Sequence, residues 1–128
     1  MESRILIVDY EEAVASMLKV VFETDGYTVV SASSAAEAEE LLAANSFDAV
    51  ITDMKMETDT AGYYVVRAAR AHPQRPAIMI LSAFPLLVQD WRSAGADAVA
   101  SKPTNMTQLL NTLAELVRKR RQRSARIS

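Results

Sequence analysis

Four polar residues stand out because each closes an apolar run. Asp9 follows Ile5-Leu6-Ile7-Val8, Asp53 follows Ala49-Val50-Ile51-Thr52, and Ser82 follows Ala77-Ile78-Met79-Ile80-Leu81. Lys102 comes just after a fifth, less apolar run, Asp97 to Ala100. Carboxylates supply oxygen ligands for hard cations and can act as nucleophiles. A hydroxyl supplies a hydrogen bond, and a lysine supplies a compact positive charge. Gathered in one pocket, the four would make a site for a charged ligand. The question is whether the chain gathers them.

The intervening sequence says that it does. Runs that are apolar at every position suit strands buried on both faces, as in parallel sheets. A weaker, partly polar run at Tyr27–Ser31 adds one more strand. Between the runs lie helix signals. Residues 11–24 place Val14, Met17, Leu18, Val21 and Phe22 at helical spacing, and Gly26 offers a stop. Ser33 or Ser34 suits the cap of a second helix, with Glu37 at capping-box distance from Ser34. That helix turns Ala38, Leu41 and Leu42 inward and ends near Asn45. A third helix covers Ala61 to Ala71, a fourth starts at Pro85 and stops at Gly95, and a fifth starts near Thr104 as its cap. Strand and helix thus alternate five times, the pattern of an α/β, doubly wound parallel sheet with helices on both faces. In such sheets functional groups collect at the carboxyl ends of the strands.

Composition narrows the class further. The 128 residues suit one domain, and half of them are hydrophobic, which suits a packed core. The absence of cysteine excludes disulfides and thiolate metal sites, and fits a cytoplasmic location. No apolar run approaches the ~20 residues of a membrane helix, and the start lacks a signal-peptide core. The net charge of −2 hides an asymmetry: six of the 14 basic residues fall in 118–128, leaving eight against all 16 acids in 1–117. This basic stretch has no interleaved aromatics and an acidic body behind it, so it reads as a solvated helix end and not as a nucleic-acid interface. The expected organisation is a domain at 1–118 followed by a basic helix end at 119–128.

The order Ile5-Leu6-Ile7-Val8-Asp9, Asp48-Ala49-Val50-Ile51-Thr52-Asp53-Met54, Ile80-Leu81-Ser82-Ala83, Gly95-Ala96-Asp97 and Lys102-Pro103 resembles the receiver domain of two-component response regulators. The resemblance spans about residues 3–117. It implies a flavodoxin-like fold: a five-stranded parallel sheet in the order 2-1-3-4-5 with five helices. It implies that Asp53 accepts a phosphoryl group from a histidine kinase or phosphotransfer protein. Lys102 would pair with one phosphoryl oxygen and Ser82 would hydrogen-bond another, with small Ala83 leaving access. Pro103 would fix the loop that aims Lys102. Mg2+ would be held by Asp9, Asp53 and the Lys55 backbone carbonyl. Partner binding, to an effector or a second copy, would use the face made by the fourth helix, fifth strand and fifth helix. There Leu87, Val88 and Trp91 are candidates.

Three departures bear on that reading. The family has a second acid after the first, where this chain has Tyr10; a phenol with a pKa of about 10 is a poor magnesium ligand at neutral pH. Magnesium binding is therefore expected to be weakened. The loop Met54–Gly62 has Glu57 where the family has proline, and its glycine comes one residue later. Val99 replaces the switch aromatic three residues before the lysine, so switching is expected to use another element, such as Phe84 or the loop before the fourth helix. Each site residue also has a plainer reading. Asp9 could cap the first helix, Ser82 could merely end its strand, Tyr10 could be a surface aromatic and Trp91 could be core. His72, the single histidine, reads as a surface turn residue.

The leading expectation is a phosphoacceptor receiver domain, not a metabolic enzyme. The alternative is a pseudo-receiver, a phosphorylation-independent interaction or dimerisation module. An enzyme on the same fold, such as a flavin or nucleotide protein, is disfavoured because no glycine-rich phosphate loop follows the first run.

Overall fold

The computed structural model describes residues 3–102 and 105–127. The apolar runs form five strands: β1 (Arg4–Val8), β2 (Thr28–Ala32), β3 (Ala49–Asp53), β4 (Ala77–Ser82) and β5 (Ala98–Ser101). Between them lie α1 (Glu12–Thr24), α2 (Ala35–Ala44), α3 (Ala61–Ala71) and α4 (Val88–Ala94), and α5 (Met106–Ile127) follows β5. The strands make one parallel sheet in the order β2-β1-β3-β4-β5, as the resemblance implied.

Side chains alternate across a strand, so a sheet covered on both sides needs apolar residues at every position. The two halves of the core show this directly. Leu6, Val8, Val50, Ile78 and Ile80 face one side, with Ala38 and Leu42 of α2 and Val65, Val66 and Ala69 of α3. Ile5, Ile7, Ile51, Met79 and Leu81 face the other, with Leu18 and Phe22 of α1 and Leu109, Leu113 and Val117 of α5. Every residue of β3 and β4 is buried, whereas β5 is only half-buried. Burying a valine, leucine or isoleucine side chain stabilises by roughly 1.5–3 kcal/mol, so the two central strands anchor the sheet.

Helix ends explain where the elements stop. Ser34 caps α2 by accepting from Glu37 N at 3.1 Å, as its spacing predicted. Gly26 and Gly95 take φ of +98° and +109°, the left-handed conformation in which glycine ends a helix without strain. Other details differ from expectation. On α1 the inward stripe is Ala15, Leu18 and Phe22, and Met17 stands 48% exposed because it lies round the helix from that stripe. The fourth helix begins at Val88, not Pro85. Pro85 and Leu87 are exposed and Leu86 alone of the three packs on the core, so this stretch stays outside the helix. At the start of α5, Asn105 Oδ1 accepts from Gln108 N at 3.1 Å, as a cap does. Thr104 itself lies outside the described residues.

The basic stretch also differs. α5 runs unbroken through position 118 to Ile127. Arg120 is not a solvated cation. Its guanidinium reaches Asp48 Oδ1 at 3.0 Å, Arg75 O at 3.0 Å and Gln74 O at 2.9 Å. Arg121 donates to Ser3 Oγ. Arg120 thereby ties α5 to the start of β3 and to the loop after α3, where Arg75 holds a positive φ of 45°. His72 is half-buried in the same loop. Gln74 N donates to its Nδ1, which leaves Nε2–H to donate to Asn45 O at 3.1 Å.

Candidate functional site

Parallel register places the strand ends side by side. Val8 pairs with Thr52, Asp53 with Leu81 and Ser82 with Ser101. The ladder then runs one step past the strands: Asp9 N donates to Ala32 O, Met54 N to Leu81 O and Lys102 N to Ser82 O, at 2.9–3.1 Å. Backbone pairing therefore brings Asp9, Asp53, Ser82 and Lys102 to one edge of the sheet.

Three of the four meet through their side chains. Lys102 Nζ lies 3.2 Å from Asp9 Oδ2 and 3.2 Å from Asp53 Oδ2. Asp9 is almost fully buried, and its other oxygen accepts from Glu11 N at 2.9 Å. Asp9 thus also fixes the turn into α1, although the cap position is Glu11 and no side chain caps the helix. Two carboxylates share one ammonium, leaving the cluster one negative charge in excess. Burial pushes the Asp53 carboxyl above its ordinary value; Lys102 pulls it back and Asp9 pushes it up again. For Lys102, burial works against the charge, but the two carboxylates outweigh it and hold the ammonium above its ordinary value.

Ser82 stands at the same edge, but its hydroxyl is turned to its own loop. Oγ donates to Phe84 O at 2.6 Å and accepts from Phe84 N at 3.2 Å. Ala83 is exposed and small. Tyr10 is 67% exposed, a surface aromatic and not a pocket residue. The Lys55 side chain lies in solvent, 3.6 Å from Asp59. Pro103 lies outside the described residues. On the expected partner face, Leu87 and Val88 are exposed, while Trp91 is half-buried against the core with Arg92 stacked 5.2 Å from its ring centre. Val99 is half-buried and lines a hollow of about 410 Å3 between β5 and α5.

A magnesium ion is tested by the donor set. Asp9 and Asp53 direct oxygens at a common cation, Lys102, so the two acids converge as a metal site needs. Among the described residues, no group of three or more histidines, cysteines or acids could hold a metal. The pair could supply two oxygen ligands to such an ion.

Two contributors were not legible as such in the sequence. Gly62 packs on the backbone of the site: its N–H donates to Met54 O at 2.8 Å, and a Cβ there would lie 2.5 Å from Asp53 O. Its displaced position in the loop was visible; the close approach was not. Glu57 accepts from Ala35 N and Ala36 N at the start of α2. An acid replacing a proline was the available signal.

The parallel sheet, its order and an acid–acid–lysine cluster at its carboxyl edge define the class, and sequence comparison agrees. Residues 5–114 match the family described as the response regulator receiver domain, and the chain belongs to that family. It is 33% identical over 110 residues to the alginate biosynthesis transcriptional regulatory protein AlgB of Pseudomonas putida, covering 84% of this chain and 24% of AlgB. It is 34% identical over 80 residues to the transcriptional regulatory protein SrrA of Staphylococcus aureus, covering 62% of this chain and 33% of SrrA. The chain therefore spans a third or less of these curated relatives. Among solved structures, a CheY-like response regulator receiver domain protein from Methanospirillum hungatei superposes with a TM-score of 0.87 at 26% identity, over 96% of this chain and 99% of that one. The chemotaxis response regulator CheY4 of Vibrio cholerae gives 0.82 at 27% identity, over 91% and 99%. Among the described residues, no helix is long and apolar enough to cross a membrane.

Proposed function

We propose that this chain is a phosphoacceptor module of two-component signalling, and that Asp53 receives the phosphoryl group from a histidine kinase or phosphotransfer protein. The observation that carries the reading is the sharing of Lys102 between Asp9 and Asp53 at 3.2 Å each. An Asp53 oxygen bonds to phosphorus as the bond from phosphorus to the donor's imidazole nitrogen breaks, and the electron pair leaves with the imidazole. Lys102 follows the new charge as a counter-ion. Ser82 turns from Phe84 to donate to a phosphoryl oxygen, and exposed Ala83 leaves room for the donor. Asp9 and Asp53, with the Lys55 carbonyl, would hold magnesium, whose chemistry is to neutralise charge that one lysine cannot match. With Tyr10 in solvent, that ion is bound weakly. The module is not a metabolic enzyme. Its output is altered binding of an effector or a second copy through the face of α4, β5 and α5, in a cytoplasmic setting.

A second reading, the pseudo-receiver, is favoured by Tyr10 and by the closed Ser82–Phe84 turn. Here the fold serves as a binding module independent of phosphorylation. Intact mass after incubation with acetyl phosphate and magnesium separates the two. A gain of ~80 Da, absent in Asp53→Asn, is the expected result. No gain, together with no beryllofluoride binding, would assign the chain to the second reading.

A further inference from the structure

A helix opens with N–H groups that have no partner within it. At α2, Ser34 satisfies one of them, Glu37 N. Ala35 N and Ala36 N donate instead to Oε1 and Oε2 of Glu57, at 2.9 and 3.3 Å. Glu57 belongs neither to α2 nor to its preceding loop; it lies four residues after Asp53. Desolvation works against its charge, but the N–H groups of Ala35, Glu57 itself and Ala36 outweigh it and hold the carboxyl below its ordinary value. An anion at a helix start is also favoured by the helix dipole.

The loop that carries Glu57 is anchored at a second point beside Asp53. Gly62 N donates to Met54 O at 2.8 Å, and the absent Cβ lets α3 lie directly on the Asp53 carbonyl. Between the anchors, Met56 is buried and its N–H donates to Thr58 O at 3.0 Å. The segment 54–60 is therefore fixed to α3 on one side and to α2 on the other. Met54 and Met56 share the core with α2, and the hydrogen bonds to its first turn come from the Glu57 side chain. Proline has no acceptor atoms in its side chain and could not make them.

We propose that Glu57 is a positioning residue for the loop beside Asp53: it latches that loop to the first turn of α2, so that the two open and close together. In its bearing on phosphorylation this rests on the phosphoacceptor reading; the latch itself does not. The latch also walls a hollow of about 230 Å3 between α2, α3 and the loop, so opening it would reshape that surface.

Amide exchange by NMR tests the latch without phosphorylation. In Glu57→Ala, the amides of Ala35 and Ala36 should exchange roughly tenfold faster or more, the scale expected for losing a hydrogen bond to a charged acceptor. The Gly62 amide should also speed up, because its loop has lost an anchor. Glu57→Gln keeps one acceptor oxygen and should restore part of both effects. Ser34→Ala should speed Glu37 and leave Gly62 alone, which separates the latch from ordinary fraying of α2. Unchanged exchange at Ala35 and Ala36 would overturn the latch. Faster exchange there with Gly62 unchanged would reduce Glu57 to a helix cap and overturn its positioning role. With acetyl phosphate, Glu57→Ala should change the phosphorylation rate several-fold. A wild-type chain that gains no mass would sink the phosphoacceptor reading, and the amides would still decide the latch.

Discussion

Strand β3 carries an aspartate at each end, and the two are built for opposite purposes. Asp48, just before the strand, accepts from Arg4 N at 2.7 Å and from the Arg120 guanidinium at 3.0 Å. Arg120 is used fully, since its other nitrogens meet the carbonyls of Gln74 and Arg75. Asp53, the last residue of the strand, must share one lysine with Asp9, and burial raises its carboxyl above the ordinary range. At one end the planar fork of arginine satisfies a carboxylate and two backbone oxygens at once. At the other, a point charge stands between two acids and leaves negative charge uncompensated. The lesson is that an ion pair at a strand end does not by itself mark function. What separates the two is whether the partners are saturated.

That contrast breaks most sharply at Lys102. Lys102→Ala should slow phosphorylation of Asp53 about a hundredfold, the scale for losing one group that stabilises developing charge. A rate within twofold of wild type by intact mass would remove Lys102 from the chemistry. Asp48→Ala should cost about 2 kcal/mol in urea unfolding, because Arg120 and Arg4 N both lose a charged acceptor. Its phosphorylation rate should not change; a slowed rate would show that the two ends are not independent. Gly62→Ala should also cost about 2 kcal/mol, because Cβ would fall on the Asp53 carbonyl and the backbone must shift. Here phosphorylation should slow as well, since the displaced backbone is that of the acceptor. The smallest effect is at Ser34: its alanine variant should lose about 1 kcal/mol, through the cap of α2 alone.

Much of this was legible from the chain. The all-apolar runs and their alternation with helical stretches determine a parallel sheet, and the residues ending those runs had to share an edge. Motif order then implied the strand order that the sheet has. What stayed hidden lies in long-range hydrogen bonding. Arg120 looked like one of six solvated cations because nothing local reveals that Asp48, 72 positions earlier, lies beneath it. Glu57 was visible as a departure from proline, but its partners, 21 and 22 positions away, were not. The start of α4 was misplaced because proline marks where a helix can begin, not where it must. Ser82 could be placed by type at the right edge, but its rotation toward Phe84 is a side-chain choice that no spacing encodes.

The most direct test of the contrast between the two aspartates is the stability of Asp53→Asn against wild type across pH. A carboxyl raised by folding favours the folded state most when protonated. That contribution is complete below the unfolded value of 3.8 and is lost as pH rises through the folded value. At neutral pH the ionised Asp53 therefore weighs against folding. Asp53→Asn should unfold at higher urea than wild type at pH 7, with the advantage shrinking as pH falls toward 3.8. An Asp53→Asn variant that is less stable than wild type at pH 7, as Asp48→Ala is expected to be, would show that Asp53 is a structural ion-pair partner. It would contradict the account of a site kept unsaturated for its reaction.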